Sequence, residues 1–299
     1  MNRIRKLATL SRSQSVIEGA GVRLHRAVGI GDEYQFDPFL LLDDIHSADP
    51  ADYLLGFPWH PHRGIETVTY VLNGTVEHGD SIGNRGAINS GDVQWMTAGN
   101  GIIHQEMPKR TPGVFRGLQL WVNLPRTHKM MEPRYRGLAA AEIPACELPD
   151  GTLVRVLAGR FGDCEGPARD LVRAPTYFDL TLPPGQTFTH PFPSGHTVFA
   201  YVLEGSGAFG DESAVAHRNV ALFGDGELFR AESGPEGLRF FLFSGEPLRE
   251  PIAWRGPIVM NTEEELYTAF QELDEGSFIK SKEQEGADGA THGKGFYRR

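Results

Sequence analysis

The chain has 299 residues, 40% of them hydrophobic, with 36 glycines and 20 prolines. That supplies one large or two medium cores, in a composition that suits turn-rich strands better than helices. The formal charge of -10 leaves no basic excess to neutralise phosphates, which excludes a general nucleic-acid binder.

Residues 1–12 are basic through Arg3, Arg5 and Lys6 but lack the apolar stretch of a secretory signal. No apolar run approaches the roughly 20 residues that span a bilayer. Cys146 and Cys164 are the only cysteines. Two cysteines make no disulfide framework, so a reducing, cytoplasmic setting is expected.

The first predicted strand covers 22–28, where apolar and polar residues alternate as on a half-buried strand. The next, 67–72, is β-branched and aromatic and stops at Asn73-Gly74, a hairpin signal. Gly91-Asp92 leads into a strand at 93–96, and 118–124 alternates again before Pro125. Residues 128–147 are polar, carry Pro133 and Pro144, and suit a connection between domains. Strands resume at 153–157 and at 176–182, the latter closed by Pro183-Pro184-Gly185. Asn261 or Thr262 can cap a C-terminal helix whose first turn is acidic and whose apolar stripe is Leu266, Phe270 and Leu273. After Gly276 the chain turns polar and glycine-rich, so 277–299 is expected to be a flexible tail.

An internal echo runs through this pattern. Tyr70-Val71-Leu72-Asn73-Gly74 returns as Tyr201-Val202-Leu203-Glu204-Gly205, each after a Pro/His-rich approach. Duplication of one β-rich unit explains it better than two unrelated strand-turn segments. The expected division is 1–134 and 135–276.

The chemistry concentrates in the first unit, in His60-Pro61-His62 and His104-Gln105-Glu106. Residues two apart on a strand point to one face, so each pair can aim both members at one point. If the strands are neighbours, three imidazoles and a carboxylate converge. A lone His-X-His beside prolines is more often a pair of turn histidines; the second pair, behind the tight turn Gly99-Asn100-Gly101, reverses that judgement. Glu66 shares the strand parity of His60 and His62, so it competes with Glu106 as the fourth ligand or serves as an acceptor for an imidazole N–H. Glu106 is the preferred ligand. A structural zinc site is a weaker competitor, because such sites are usually cysteine-rich.

Imidazole plus carboxylate suits iron, manganese, cobalt, nickel, copper or zinc over calcium or magnesium. His78 is expected in an exposed loop, and His190 and His196 in structural or surface roles. Aligned on the echo, Pro191 and Pro193 stand where His60 and His62 stand, so the second unit is expected to lack the metal site.

At these residues the chain resembles the pirin family of the cupin superfamily. The likeness is carried by 36–44, by His60-Pro61-His62-Arg63-Gly64-Ile65-Glu66-Thr67-Val68-Thr69-Tyr70, by 80–84 and 91–99, by Gly101-Ile102-Ile103-His104-Gln105-Glu106-Met107-Pro108, and by 245–262. It implies an all-β bicupin: two stacked antiparallel jelly-roll barrels and a short C-terminal helix. It also implies one metal, usually Fe(II), held by His60, His62, His104 and Glu106. The implied activity is that of a quercetin 2,3-dioxygenase, which opens a flavonol ring with dioxygen and expels carbon monoxide, with Glu106 taking the substrate proton. Phe57, Trp59, Trp95 and Met96 are candidates for a pocket wall or for core packing. Competing expectations are a metal-dependent regulator that binds a transcription factor or metabolic enzyme and, more weakly, a sugar-modifying cupin. The expected partners are thus a small phenolic and dioxygen, with a protein partner under the regulator reading.

Overall fold

The computed structural model describes residues 3–210 and 212–281. The first half alternates β-branched and aromatic residues between two faces, and each run becomes a strand. These are β1 (Leu7–Arg12), β2 (Gln14–Glu18), β3 (Val22–Val28), β4 (Phe39–Ser47), β5 (Phe57–His62) and β6 (Ile65–Asn73). There follow β7 (Thr75–Asp80), β8 (Arg85–Asn89), β9 (Val93–Thr97), β10 (Ile102–Pro108), β11 (Phe115–Asn123) and β12 (Arg134–Leu138). One antiparallel sheet runs β12-β9-β6-β11-β4-β3-β2 and a second runs β5-β10-β7-β8. Leu24, Ile45, Val71 and Phe115 from the first sheet bury against Val76 and Ile88 from the second. The pair closes into a barrel.

The second barrel begins with β13 (Ala145–Glu147), β14 (Leu153–Ala158), β15 (Arg160–Phe161) and β16 (Cys164–Glu165). Next come β17 (Thr176–Leu182), β18 (Thr187–Pro191), β19 (Thr197–Phe209), β20 (Glu212–Ala216), β21 (Asn219–Phe223) and β22 (Leu228–Gly245). Its nine-stranded sheet is organised around the two longest strands, since β22 pairs with β17, β18 and β19. Phe188, Phe209, Phe223, Phe229 and Phe240 fill its interior. The chain ends with β23 (Ala253–Arg255), β24 (Ile258–Met260) and α1 (Glu263–Glu275). Thr262 caps α1 through a bond from the Glu265 amide, and Gly276 at φ 74 closes it. The expected bicupin with one short helix is the observed fold. Among the described residues no helix is long and apolar enough to cross a membrane.

The echo is a duplication written into the strand register. Leu118 pairs with Tyr70 and Asp44, and Phe241 pairs with Tyr201 and Asp179. The tyrosines then cross over. Tyr70 donates its hydroxyl to Asp179 in the second barrel at 3.1 Å, and Tyr201 donates to Asp44 in the first at 3.0 Å. Burial pushes both phenols up, so each stays a donor at neutral pH. Arg116 and Arg239 stand two residues before Leu118 and Phe241; Arg239 grips Asp179 with two bonds, and Arg116 approaches Asp44. Around these pairs Phe39, Val68, Trp95 and Leu120 pack against Tyr177, Phe199 and Phe243.

The two ends of the chain trade places. β1 pairs with β21 of the second barrel, while β12, which opens at the expected 134/135 division, pairs with β9 of the first. The last segment packs back on the first barrel, where Arg63 bridges Ile258. Gly64 allows this approach: a Cβ there would lie 1.9 Å from the Val259 carbonyl oxygen. Of the expected tail, Phe278 is buried against the Arg63 guanidinium at 4.2 Å; residues 282–299 lie outside the described residues. Cys146 on β13 and Cys164 on β16 are joined as a single disulfide, a pairing that the sequence reading did not propose. The β13–β14 pairing and the β15–β16 hairpin bring their Cα atoms to 6.6 Å, a spacing that sequence separation does not reveal.

Lys129 seals the junction between barrel and C-terminal segment. Its buried Nζ donates to the carbonyls of Gly64 and Val259 and to Asn123 Oδ1 at 2.7–2.9 Å. Burial pushes it from an ordinary 10.5 down to about 7, against the opposing pull of Glu250 and Glu265. Between those pH values the unfolded chain holds more protons than the folded one. Stability from this group therefore rises with pH through that window and is lost below it. Lys129→Met is expected to flatten this part of a melting-temperature profile from pH 6 to 10; parallel wild-type and variant profiles would rule the linkage out.

Candidate metal centre

β5 and β10 are antiparallel neighbours, with His104 opposite His60 and Ile102 opposite His62. The register slips by one residue beyond His104, so Glu106 faces Phe57. This bulge keeps both β10 side chains on one face while turning the Phe57 ring towards the site, 6.4 Å from the His60 ring. The three imidazoles meet, with centroids 4.4–5.0 Å apart and ligating nitrogens all within 4.8 Å of one another.

The outer nitrogens of His60 and His62 are already committed. His60 Nδ1 donates to the Pro58 carbonyl at 2.9 Å, and His62 Nδ1 to the Pro257 carbonyl at 3.0 Å. With Nδ1 protonated in a neutral ring, Nε2 carries a lone pair. The Nε2 atoms of His60 and His62 then face each other at 3.1 Å with no proton to share. His104 Nε2 is buried without a hydrogen-bond partner. Burial pushes all three imidazoles below their ordinary value, and for His62 and His104 their neighbours push further the same way. Converging lone pairs on neutral rings repel one another unless a cation sits between them, so the donor set fits a first-row transition metal.

Glu106 is buried on the same strand, but its carboxylate is turned along the barrel wall. Oε1 accepts from Thr69 Oγ1 and Oε2 from Gln119 Nε2, both at 2.6 Å. Gln119 is itself oriented by the Trp121 indole N–H at 3.1 Å. Glu66, the competing carboxylate, is committed elsewhere: it accepts from Thr97 Oγ1 at 2.6 Å, with burial raising it and Arg136 lowering it. The N–H acceptors of His60 and His62 are backbone carbonyls, not Glu66.

His78 is not in an exposed loop. It lies on β7 opposite Glu106, is buried, and its Nε2 is 2.8 Å from the Tyr135 hydroxyl. The reason is pairing: β10 lies between β5 and β7, so residues 75–80 are a strand of the site's own sheet. Trp95 and Met96 belong to cores, Trp95 between the barrels and Met96 with Ile65 and Ile102. The aromatic wall beside the imidazoles is instead Trp121, whose ring meets His62 edge-on at 5.0 Å, backed by Trp254 at 6.0 Å. His190 is ringed by Phe161, Phe178, Phe188 and Phe192 in the second barrel, where burial pushes it down to about 4.

Residues 21–122 match the family described as Pirin, and residues 177–279 that described as the Pirin C-terminal cupin domain. A provisionally named quercetin 2,3-dioxygenase of Pseudomonas aeruginosa is 43% identical over 92% of this chain and 99% of its own. Human pirin is 43% identical over 88% of this chain and 89% of its own. A crystal structure of quercetin 2,3-dioxygenase from Acinetobacter baumannii, 35% identical, superposes with a TM-score of 0.85 over 92% of this chain and 98% of that one.

Proposed function

This chain belongs to the pirin family, and from that premise we propose that it is a metal-dependent dioxygenase acting on a flavonol or related phenolic. In the reaction one flavonol and one dioxygen give a ring-opened ester and one carbon monoxide. The observation that carries the reading is the set of three imidazole nitrogens within 4.8 Å of one another, with the Glu106 carboxylate held on the same strand.

His60, His62, His104 and Glu106 are the proposed ligands, with Fe(II) as the natural ion and manganese, cobalt, nickel, copper or zinc able to take the same donors. When bound, the metal supplies a Lewis acid for the substrate hydroxyl and a redox partner for dioxygen. The chain supplies the rest. Glu106 takes the proton of the 3-hydroxyl, which needs a carboxylate placed near the substrate oxygen. Thr69 and Gln119 fix that carboxylate and Trp121 fixes Gln119, so its position does not depend on substrate. Phe57, Trp121 and Trp254 offer flat apolar surface to a planar phenolic.

The test is turnover by anaerobically reconstituted protein in an oxygen electrode, with carbon monoxide trapped and counted. Wild-type protein is expected to consume flavonol and dioxygen and release carbon monoxide in equal amounts, and His62→Ala to be slower by at least ~100-fold. Equal rates for the two would remove the basis of the reading. Redox-dependent capture of a protein partner without turnover would favour the regulator instead.

A further inference from the structure

The two barrels descend from one unit, so each position in the first has a counterpart in the second, and the interiors can be compared register by register. Gly117 on β11 pairs with Val71 and Ile45, while Phe240 on β22 pairs with Val202 and Leu180. They are the same position. Both point inward, one residue before Leu118 and Phe241. In the second barrel the Phe240 ring fills the interior and is fully buried. In the first barrel the Phe115 ring, which lies against Gly117, fills only part of that place.

The space left is a cavity of about 30 Å³, lined by Leu24, Phe57, Val71, Val76 and Phe115, with Glu106 in its wall. One water needs about 10–15 Å³ on this scale, so a diatomic molecule fits and a flavonol does not. The glycine is not demanded by the backbone. A Cβ built on Gly117 meets no atom closer than the Phe115 ring at 3.5 Å. A Cβ is accommodated at this position, and the twin barrel carries a full ring there.

The polar groups in the wall are spoken for. Thr69 and Gln119 donate to Glu106, and both Asp43 oxygens accept from Arg26 at 2.7–2.9 Å. A water held there would need two to four partners, and with the Thr69 hydroxyl and Gln119 amide already donating to Glu106, only spare carboxylate lone pairs remain to receive its hydrogens. What remains is apolar surface of molecular size, a setting that suits an apolar gas.

We propose that this cavity is a binding site for dioxygen, storing the gas inside the first barrel against the Glu106 side of the metal centre. That role rests on the dioxygenase reading above, but occupancy by the gas does not require turnover. Delivery from a neighbouring apolar pocket lets dioxygen reach the site when a planar substrate covers the outer approach.

The experiment uses full-length, zinc-loaded protein, which is diamagnetic, with labelled valine and leucine methyl groups. Under dissolved oxygen the methyls of Leu24, Val71 and Val76 are expected to relax several-fold faster than other buried methyls. Gly117→Val is expected to return them to the common rate, and Val71→Ala, which enlarges the space, to leave Leu24 and Val76 at least as strongly affected. In the iron-loaded enzyme Gly117→Val is then expected to raise the KM for dioxygen several-fold while the KM for flavonol and the metal content stay within about twofold. Ordinary relaxation of these methyls in the wild type overturns the proposal, as does ordered water bonded to Asp43 or Thr69 filling the cavity. An unchanged KM for dioxygen in a Gly117→Val protein that turns over overturns it too. If the wild type has no turnover at all, the dioxygenase reading fails while the relaxation result still decides the cavity.

Discussion

His104→Leu is expected to lose the metal and keep the fold. Leucine approaches histidine in volume and His104 is 1% exposed, so the barrel interior stays filled and no lone pair is left facing the other two. The two remaining imidazoles still point at each other, but a two-nitrogen site binds far more weakly. Loss of an outer hydrogen-bond partner alone typically costs 10–100-fold in affinity, so loss of a ligand is expected to exceed about 100-fold. Metal that binds the folded state alone adds about 4 kcal/mol of stability at a thousand times its dissociation constant. For a chain of this size that corresponds to a melting shift on the order of 10 °C. A chelator is therefore expected to lower the melting temperature of the wild type by about this amount and to leave His104→Leu unmoved. The check is elemental analysis beside paired melts with and without chelator. A variant that retains stoichiometric metal, or a wild type indifferent to the chelator, would show that these imidazoles do not hold an ion.

Arg63→Met is expected to be the most damaging change outside the ligands. Arg63 lies between His62 and Gly64, is 2% exposed, and reaches away from the metal face. Its Nε donates to the Asn100 carbonyl at 2.7 Å and its Nη2 to the Phe278 carbonyl at 2.8 Å, and Nη2 forms an ion pair with Glu272 of α1 at 2.7 Å. Glu272 is held below the usual carboxylate range by Lys280 and Arg63 together. Removing the guanidinium leaves two buried carbonyls and a carboxylate short of a donor. Breaking a buried pair from one side costs about 3–5 kcal/mol. The loss falls on the contact that fastens α1 and Phe278 to the first barrel, so the C-terminal segment is expected to become protease-sensitive first. Pro257 lies in that segment and holds His62, so metal affinity is expected to fall as well, although Arg63 touches no ligand. Limited proteolysis and a metal titration of the variant test both halves of this expectation. Cleavage elsewhere with affinity intact would separate the anchor from the site.

Much of the site was legible because it rests on strand parity. His60 and His62, like His104 and Glu106, show their common face in their spacing, and three nitrogens of this set meet as that parity requires. The echo was legible for the same reason: Tyr70 and Tyr201 sit at matched register positions with matched aspartates across the interface. What stayed hidden lacks a periodic signature. The carbonyls of Pro58 and Pro257 are backbone atoms, and any residue could supply them. Thr69 and Gln119 read as ordinary strand residues until β6 and β11 lie beside each other and their side chains reach Glu106. His78 was misplaced because Gly79-Asp80 after it resembles a turn, whereas the chain stays paired with β10 as far as Asp80. The joined cysteines and the exchange of chain ends depend on long-range pairings that no local window contains.

That exchange has a consequence in time. The carbonyl that orients His62 is supplied 195 residues later in the chain. At roughly 5–20 residues per second of translation, about 10–40 s separate the birth of the imidazole from the arrival of its acceptor. The nascent half-protein on the ribosome therefore presents its whole ligand set with His62 not yet oriented, and tight loading is expected once the C-terminal segment has docked, when the cell's pool of exchangeable metal, and not the order of synthesis, decides which ion is taken.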